Sequence, residues 1–195
     1  MHPDQLLDAS GQLDRSSLYF ERFGVTAEAL RKVLGAALSR GATDCDLYFE
    51  HSRLTSLQLR DRKVNAAGTS VDLGLGVRAR VGDQVGYAYT EDLSLKAMVG
   101  AARTAAEIAR STPGHAPVDL KQLGLPGYYP VKRRWADAGL DARVPLVRAW
   151  EERAFGKDER VKNVQVYLVD AEKVVMVVRA DGRIAQDFSP CAAPS

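Results

Sequence analysis

The side chains of this 195-residue chain best suited to hold a metal ion or move protons are three histidines, two cysteines and a cluster of carboxylates. A hydrolytic zinc site needs ligands that converge on one ion and a carboxylate to take a proton from the bound water. Two histidines one helical turn apart, with a glutamate beside the first, supply this compactly. Here His2, His51 and His115 are isolated and are followed by Pro3, Ser52 and Ala116. Cys45 and His51 fall on one strand face, but six residues at about 3.3 Å each place them roughly 20 Å apart. Each histidine is therefore expected as a solvated surface or loop residue, with no catalytic residue and no metal ligand in the chain. Asp44, Asp46 and Glu50 resemble an acid/base cluster, yet they alternate with Cys45, Leu47 and Phe49 as any solvated strand face would. Gly74-Leu75-Gly76 is no phosphate cradle, because neither a helix start nor a GK[ST] ending follows it. Lys132-Arg133-Arg134 beside Trp135 is the one dense basic run with an aromatic neighbour, a pattern that suits phosphate pairing and stacking.

The most informative stretch is Val71 to Tyr89. Val71, Leu73, Leu75, Val77, Ala79 and Val81 alternate with Asp72, Gly74, Gly76, Arg78 and Arg80, the period of a strand buried on one face. Gly82-Asp83-Gln84 then turns the chain into Val85, Tyr87 and Tyr89, a hairpin. Glycine in a strand interior marks close approach by other backbone. For Gly74 and Gly76 that means a packed helix or, in the functional reading, a groove where a peptide adds as a further strand. Gly74, Gly76, Arg78, Gly86 and Tyr87 are the candidate substrate-binding residues.

Around this hairpin the periodicity predicts a helix from Thr26 to Gly41 with Leu30, Val33, Leu34, Ala37 and Leu38 inward. Strands follow at 44–50 and 55–59, giving a four-strand meander with the hairpin. A second helix carries Leu95, Met98, Val99, Ala102, Ala106 and Ala109 on its stripe. A third, from about Asp141 to Gly156, turns Leu146, Val147 and Trp150 inward. Short strands are expected at 163–169, 173–179 and 183–188, with Asp181-Gly182 as a turn. The organisation reads as an N-terminal arm (1–24), a helix, meander and helix unit (25–110), a Pro/Gly-rich linker (111–139), a helix with three strands (140–189) and a flexible tail (190–195). The fold class is α+β, a mostly antiparallel or mixed sheet with helices packed on one side.

The segments Gly74-Leu75-Gly76-Val77-Arg78 and Val85-Gly86-Tyr87-Ala88-Tyr89, followed by Thr90-Glu91-Asp92-Leu93-Ser94, resemble the GVGVR and TGFAY-like strands of the TldD/PmbA family. These are zinc-dependent peptidases once named modulators of DNA gyrase. The Asp44 to Glu50 strand and the Pro-Tyr linker also fit, over roughly Thr26 to Phe188, and the aromatic strand is closer to the TldD branch. The resemblance implies an HExxxH zinc site in a C-terminal half, with zinc expected there and no cofactor in this chain. It also implies a homodimer or a TldD with TldE heterodimer, and unfolded peptide as substrate. The chain would then be an N-terminal domain contributing assembly or substrate confinement. A non-enzymatic interaction module, or inactive partner subunit of a full-length relative, is the alternative. A nucleic-acid-binding module using Lys132 to Trp135 ranks below both, since a net charge of +2 gives little attraction to phosphate. No apolar run has the length of a membrane span and the N-terminus lacks a secretory pattern, so the expected location is cytoplasmic. Cys45 is expected to be a buried, inert thiol, and Cys191 to lie in the flexible tail.

Overall fold

A computed structural model describes residues 22–109, 120–123 and 134–194. Helix α1 (Ala27–Ala37) starts where the Thr26 hydroxyl accepts the Ala29 N–H at 3.1 Å. It stops before Gly41, whose φ of 77° suits glycine. Its buried residues Leu30, Val33, Leu34 and Ala37 recur at helical spacing. The chain then enters β1 (Asp44–Arg60), turns at Asp61-Arg62, and returns as β2 (Lys63–Val81) and β3 (Gln84–Thr90). Helix α2 (Leu95–Ala109) follows, then the two-residue β4 (Lys121–Gln122), a 3₁₀ turn (Trp135–Asp137), α3 (Leu140–Phe155), β5 (Gln165–Arg179) and β6 (Arg183–Pro194). The sheet order is β3-β2-β1-β5-β6-β4, antiparallel throughout except for the short β4, which runs parallel to β6. The fold is α+β.

Strand parity assigns the two faces. Residues of β1 that turn inward are the odd ones, and their partners on β5 are even. Along this face Leu47 and Phe49 stand opposite Val178 and Met176, and with Cys45 and Val174 they form a core closed by α1 and α2. At the far end Leu57 and Leu59 meet Leu168 and Val166 under Val147 of α3. Between the two clusters the inward positions are polar: Arg53 stands opposite Glu172, and Thr55 opposite Asp170. All three helices pack on the same face.

Four expectations change. The runs at 44–50 and 55–59 are one strand of 17 residues, because the polar middle of β1 interrupts the apolar alternation without interrupting the ladder. The same holds for 163–169 and 173–179, which are the single strand β5. Residues 63–70, which fall between the predicted strands, belong to β2 and are exposed on both faces. The stretch 190–194, expected as a flexible tail, continues β6 along β5 as far as the Leu168 and Pro194 pair. Of the expected linker, 111–119 and 124–133 lie outside the described residues, as do residue 110 before it and 1–21 of the N-terminal arm. Phe23, from the end of that arm, is buried with its ring 5.4 Å from Phe49.

Candidate functional site

The outer face of β1, β2 and β3 holds most of the candidate residues. Gly76 lies opposite Tyr48 on β1 and Tyr89 on β3; Gly74 lies opposite Glu50, and Arg78 opposite Tyr87. A Cβ built on Gly76 would sit 2.4 Å from the Tyr87 hydroxyl, so this glycine is the seat of the Tyr87 ring. One on Gly74 would sit 3.1 Å from the Thr90 carbonyl oxygen, where β3 leaves the sheet. The helices lie on the opposite face, so helix packing does not explain Gly74 or Gly76. It explains Gly86, whose Cβ would fall 1.9 Å from the Ala105 carbonyl oxygen of α2. Of the five candidates, Gly74, Gly76, Arg78 and Tyr87 share one face and Gly86 faces away from them.

Asp44, Asp46 and Glu50 on this face are each held by a cation. Arg78 donates through Nε to Asp46 at 2.8 Å and through Nη2 to the same oxygen. Arg80 and Arg179 approach Asp44 at 3.5 and 3.7 Å. Lys173 reaches Glu50 at 3.0 Å, and the Tyr48 hydroxyl donates to Glu50 at 2.8 Å. Partial burial pushes the Glu50 carboxyl up, but the hydrogen bonds from Lys173 and Tyr48 outweigh it and leave the group below the usual range. Burial, with the bond to Glu50, pushes the Tyr48 phenol up to about 12. Held ionised in this way, Glu50 is a poor proton carrier at neutral pH. What the face offers is binding: Tyr48, Tyr87, Tyr89 and Val85 are exposed. A cleft of about 400 Å³ opens beside them, lined by Glu50, Val71, Asp72, Leu73, Gly74 and Glu91.

That cleft marks a step in the sheet. Strand β3 pairs with β2 only from Leu75 to Val81, so Lys63–Gly74 has β1 on one side and, among the described residues, no strand on the other.

The zinc implied by the family resemblance does not fit the residues described. Among them no group of three or more His, Cys, Asp or Glu side chains is placed to hold a metal ion. His51, expected as a solvated residue, is half-buried on the inner face, and its Nδ1 lies 3.0 Å from Arg22 Nη2. His2 and His115 lie outside the described residues. Cys45 is buried, and burial, with Asp46 and Asp44 beside it, pushes its thiol up to about 12. The neutral thiol is therefore the native form, and the thiolate is the reactive one. With Ellman's reagent at pH 8, exposed Cys191 is expected to react at once and Cys45 only on unfolding. Two rapidly reacting thiols per native chain would contradict this placement.

The basic run fares differently from its sequence reading. Arg134 is buried, donating to Glu172 at 2.7 Å, while Lys132 and Arg133 lie outside the described residues. It belongs to a set of ion pairs that sequence reading missed. Arg143 of α3 donates to both oxygens of Asp170 at 3.0 Å, to the Trp135 carbonyl at 2.7 Å and to the Ala138 carbonyl. Glu172 also accepts the Ala136 N–H at 3.0 Å. These bonds fasten the 3₁₀ turn and α3 onto β5.

Residues 45–109 match the family model described as PmbA/TldA metallopeptidase domain 1. Over this segment the chain matches the first domain of the PmbA/TldD family. The match spans β1, β2, β3 and α2, so it contains the tyrosine and glycine face but none of the buried ion pairs. The metalloprotease TldD homolog of Haemophilus influenzae is 24% identical over 168 residues, which cover 85% of this chain and 35% of that protein. The chain thus spans about a third of that relative's length. Among solved structures, a proposed modulator of DNA gyrase from Bacteroides thetaiotaomicron superposes with a TM-score of 0.69 at 21% identity, covering 86% of this chain and 39% of that one. TldE from Thermococcus kodakarensis gives 0.63 at 16% identity, covering 84% and 37%. At these identities the structural likeness speaks for the fold of the first domain.

Proposed function

We propose that this chain acts as the assembly and substrate-confining first domain of a TldD-like peptidase in the cytoplasm, and that it does not itself cleave peptides. The observation that carries the reading is the family match over 45–109, on a sheet whose outer face offers exposed tyrosines and cation-pinned carboxylates in place of metal ligands. Hydrolysis by zinc-bound water would belong to another part of such an assembly. Its partner would be a second copy or a TldE-type subunit, and unfolded peptide would pass over the Gly74, Gly76 and Tyr87 face. No helix among the described residues is long and apolar enough to cross a membrane, which is compatible with this location. The test is metal analysis of the purified chain with digestion of an unfolded protein, with and without chelator. Zinc well below one per chain and no chelator-sensitive cleavage are expected; stoichiometric zinc, or proteolysis abolished by chelator, would refute the proposal.

A further inference from the structure

The open edge of β2 is an interaction surface whose sequence says what fits it. From Val64 to Val71 it reads Val-Asn-Ala-Ala-Gly-Thr-Ser-Val, with no charge and no proline. Edges kept from pairing ordinarily carry one or the other, or are bulged or covered. Its charges stand at the two ends, Lys63 and Asp72, and the whole stretch from Lys63 to Leu73 is exposed. On the inner face, Val64, Val71 and Leu73 are exposed beyond the cover of α3.

We propose that this edge pairs with the same edge of a second copy, antiparallel about a twofold axis through Gly68. This inference rests on the assembly reading above and names its surface. Opposed residues in such a pair must point to the same face, so Ala67 meets Thr69 of the second copy and Ala66 meets Ser70. Strand β2 then carries its extra residue: against β1, Gln58 pairs with Ala66 and Leu59 with Val64, which leaves Asn65 bulged. With Asn65 bulged toward the second copy as well, Val64 meets Val71 and Lys63 meets Asp72, each pair occurring twice. A register centred on Thr69 sets Lys63 against Gly74 and Asp72 against Ala66, leaving both charges unmatched. One centred on Ala67 brings Asp61 against Asp72, a like-charge pair that destabilises a sheet. The Gly68 register is the one of these three in which the charges and the apolar residues both match.

The test is sedimentation equilibrium of the full chain with three variants. Wild type is expected to be a concentration-dependent dimer. Lys63→Asp and Asp72→Lys alone each convert two attractive pairs into repulsive ones and should weaken the dimer by about tenfold or more. The double variant Lys63→Asp/Asp72→Lys should restore it. Independently, Gly68→Cys in a Cys191→Ser background places the new thiol beside its own copy at the axis, and mild oxidation should give a disulfide-linked dimer. A chain that stays monomeric at 200 µM, including one that takes up an added extended peptide along this edge instead, overturns the inference. So does a dimer indifferent to the single charge changes. Neither result bears on the metal and digestion assays, which judge the proposed function separately.

Discussion

Replacing Arg143 by alanine is expected to destabilise the fold by about 3–5 kcal/mol, the range for removing one partner of a buried ion pair. Arg143 and Asp170 are 5% and 4% exposed, so neither charge has water to fall back on. Loss of the guanidinium removes both bonds to Asp170 and frees the Trp135 and Ala138 carbonyls, which fix the 3₁₀ turn. Burial already holds the Asp170 carboxyl above its usual range against the pull of Arg143, and Glu172 adds repulsion. Without Arg143 the folded-state value rises further above the unfolded one. The stabilising proton is then bound at acid pH and lost as pH rises through the folded value. The variant's deficit should therefore be largest at neutral pH and shrink below about pH 4. Urea denaturation at both pH values measures it; a neutral-pH loss under 1 kcal/mol would mean that the pair is solvated in solution.

Gly86→Val is expected to cost about 3 kcal/mol, the upper range for overpacking, because the obstacle is backbone. The new Cβ would lie 1.9 Å from the Ala105 carbonyl oxygen and 2.7 Å from the Ala109 N–H nitrogen. Relief requires α2 to lift off β3, although Met98, Ala102, Ala105 and Ala109 are buried in the main core. Gly76→Ala is the control. There the conflict is with the hydroxyl of an exposed tyrosine that can swing into solvent, and a loss below about 1 kcal/mol is expected. Comparable thermal stability of the two variants would contradict the assignment of faces.

Where one physical cause sets the pattern, it was readable in advance. Helix α1 and the 71–89 hairpin follow from period alone, since each lays a continuous apolar set on a single partner. Several failures share a different cause: charged residues in buried positions. Asp170 and Glu172 stand in phase with Val166, Leu168, Val174 and Met176, so their inward direction was visible in the alternation, but their partners were not. Those partners come from sequence-distant elements, Arg134 before the 3₁₀ turn and Arg143 on α3. The same effect misled the reading of α3. Its buried residues are Arg143, Val147 and Glu151, whereas Leu146, expected inward, is exposed. Glu151 is buried because its carboxylate accepts the Arg62 N–H at 2.8 Å, at a turn where Asp61 and Arg62 have φ of 50° and 64°. A polar side chain that supports a left-handed turn elsewhere leaves no periodic trace. For the outer face, period separated Gly74 and Gly76 from the core side of β2. It did not reveal that Gly86, on the next strand, receives the helix.

The sheet order has a kinetic consequence. Two of its inner strands, β1 and β5, are neighbours in space but are separated in sequence by β2, β3, the two-residue β4 and two full helices. Hairpins β1-β2-β3 and β5-β6 close over short loops, and α2 docks on the strands just before it. The β1-β5 seam must wait for the long loop between them to close. As the chain leaves the ribosome, the apolar edge that becomes the middle of the sheet is therefore bare until β5 emerges. During that interval the nascent molecule is exposed to aggregation in a way the finished fold conceals.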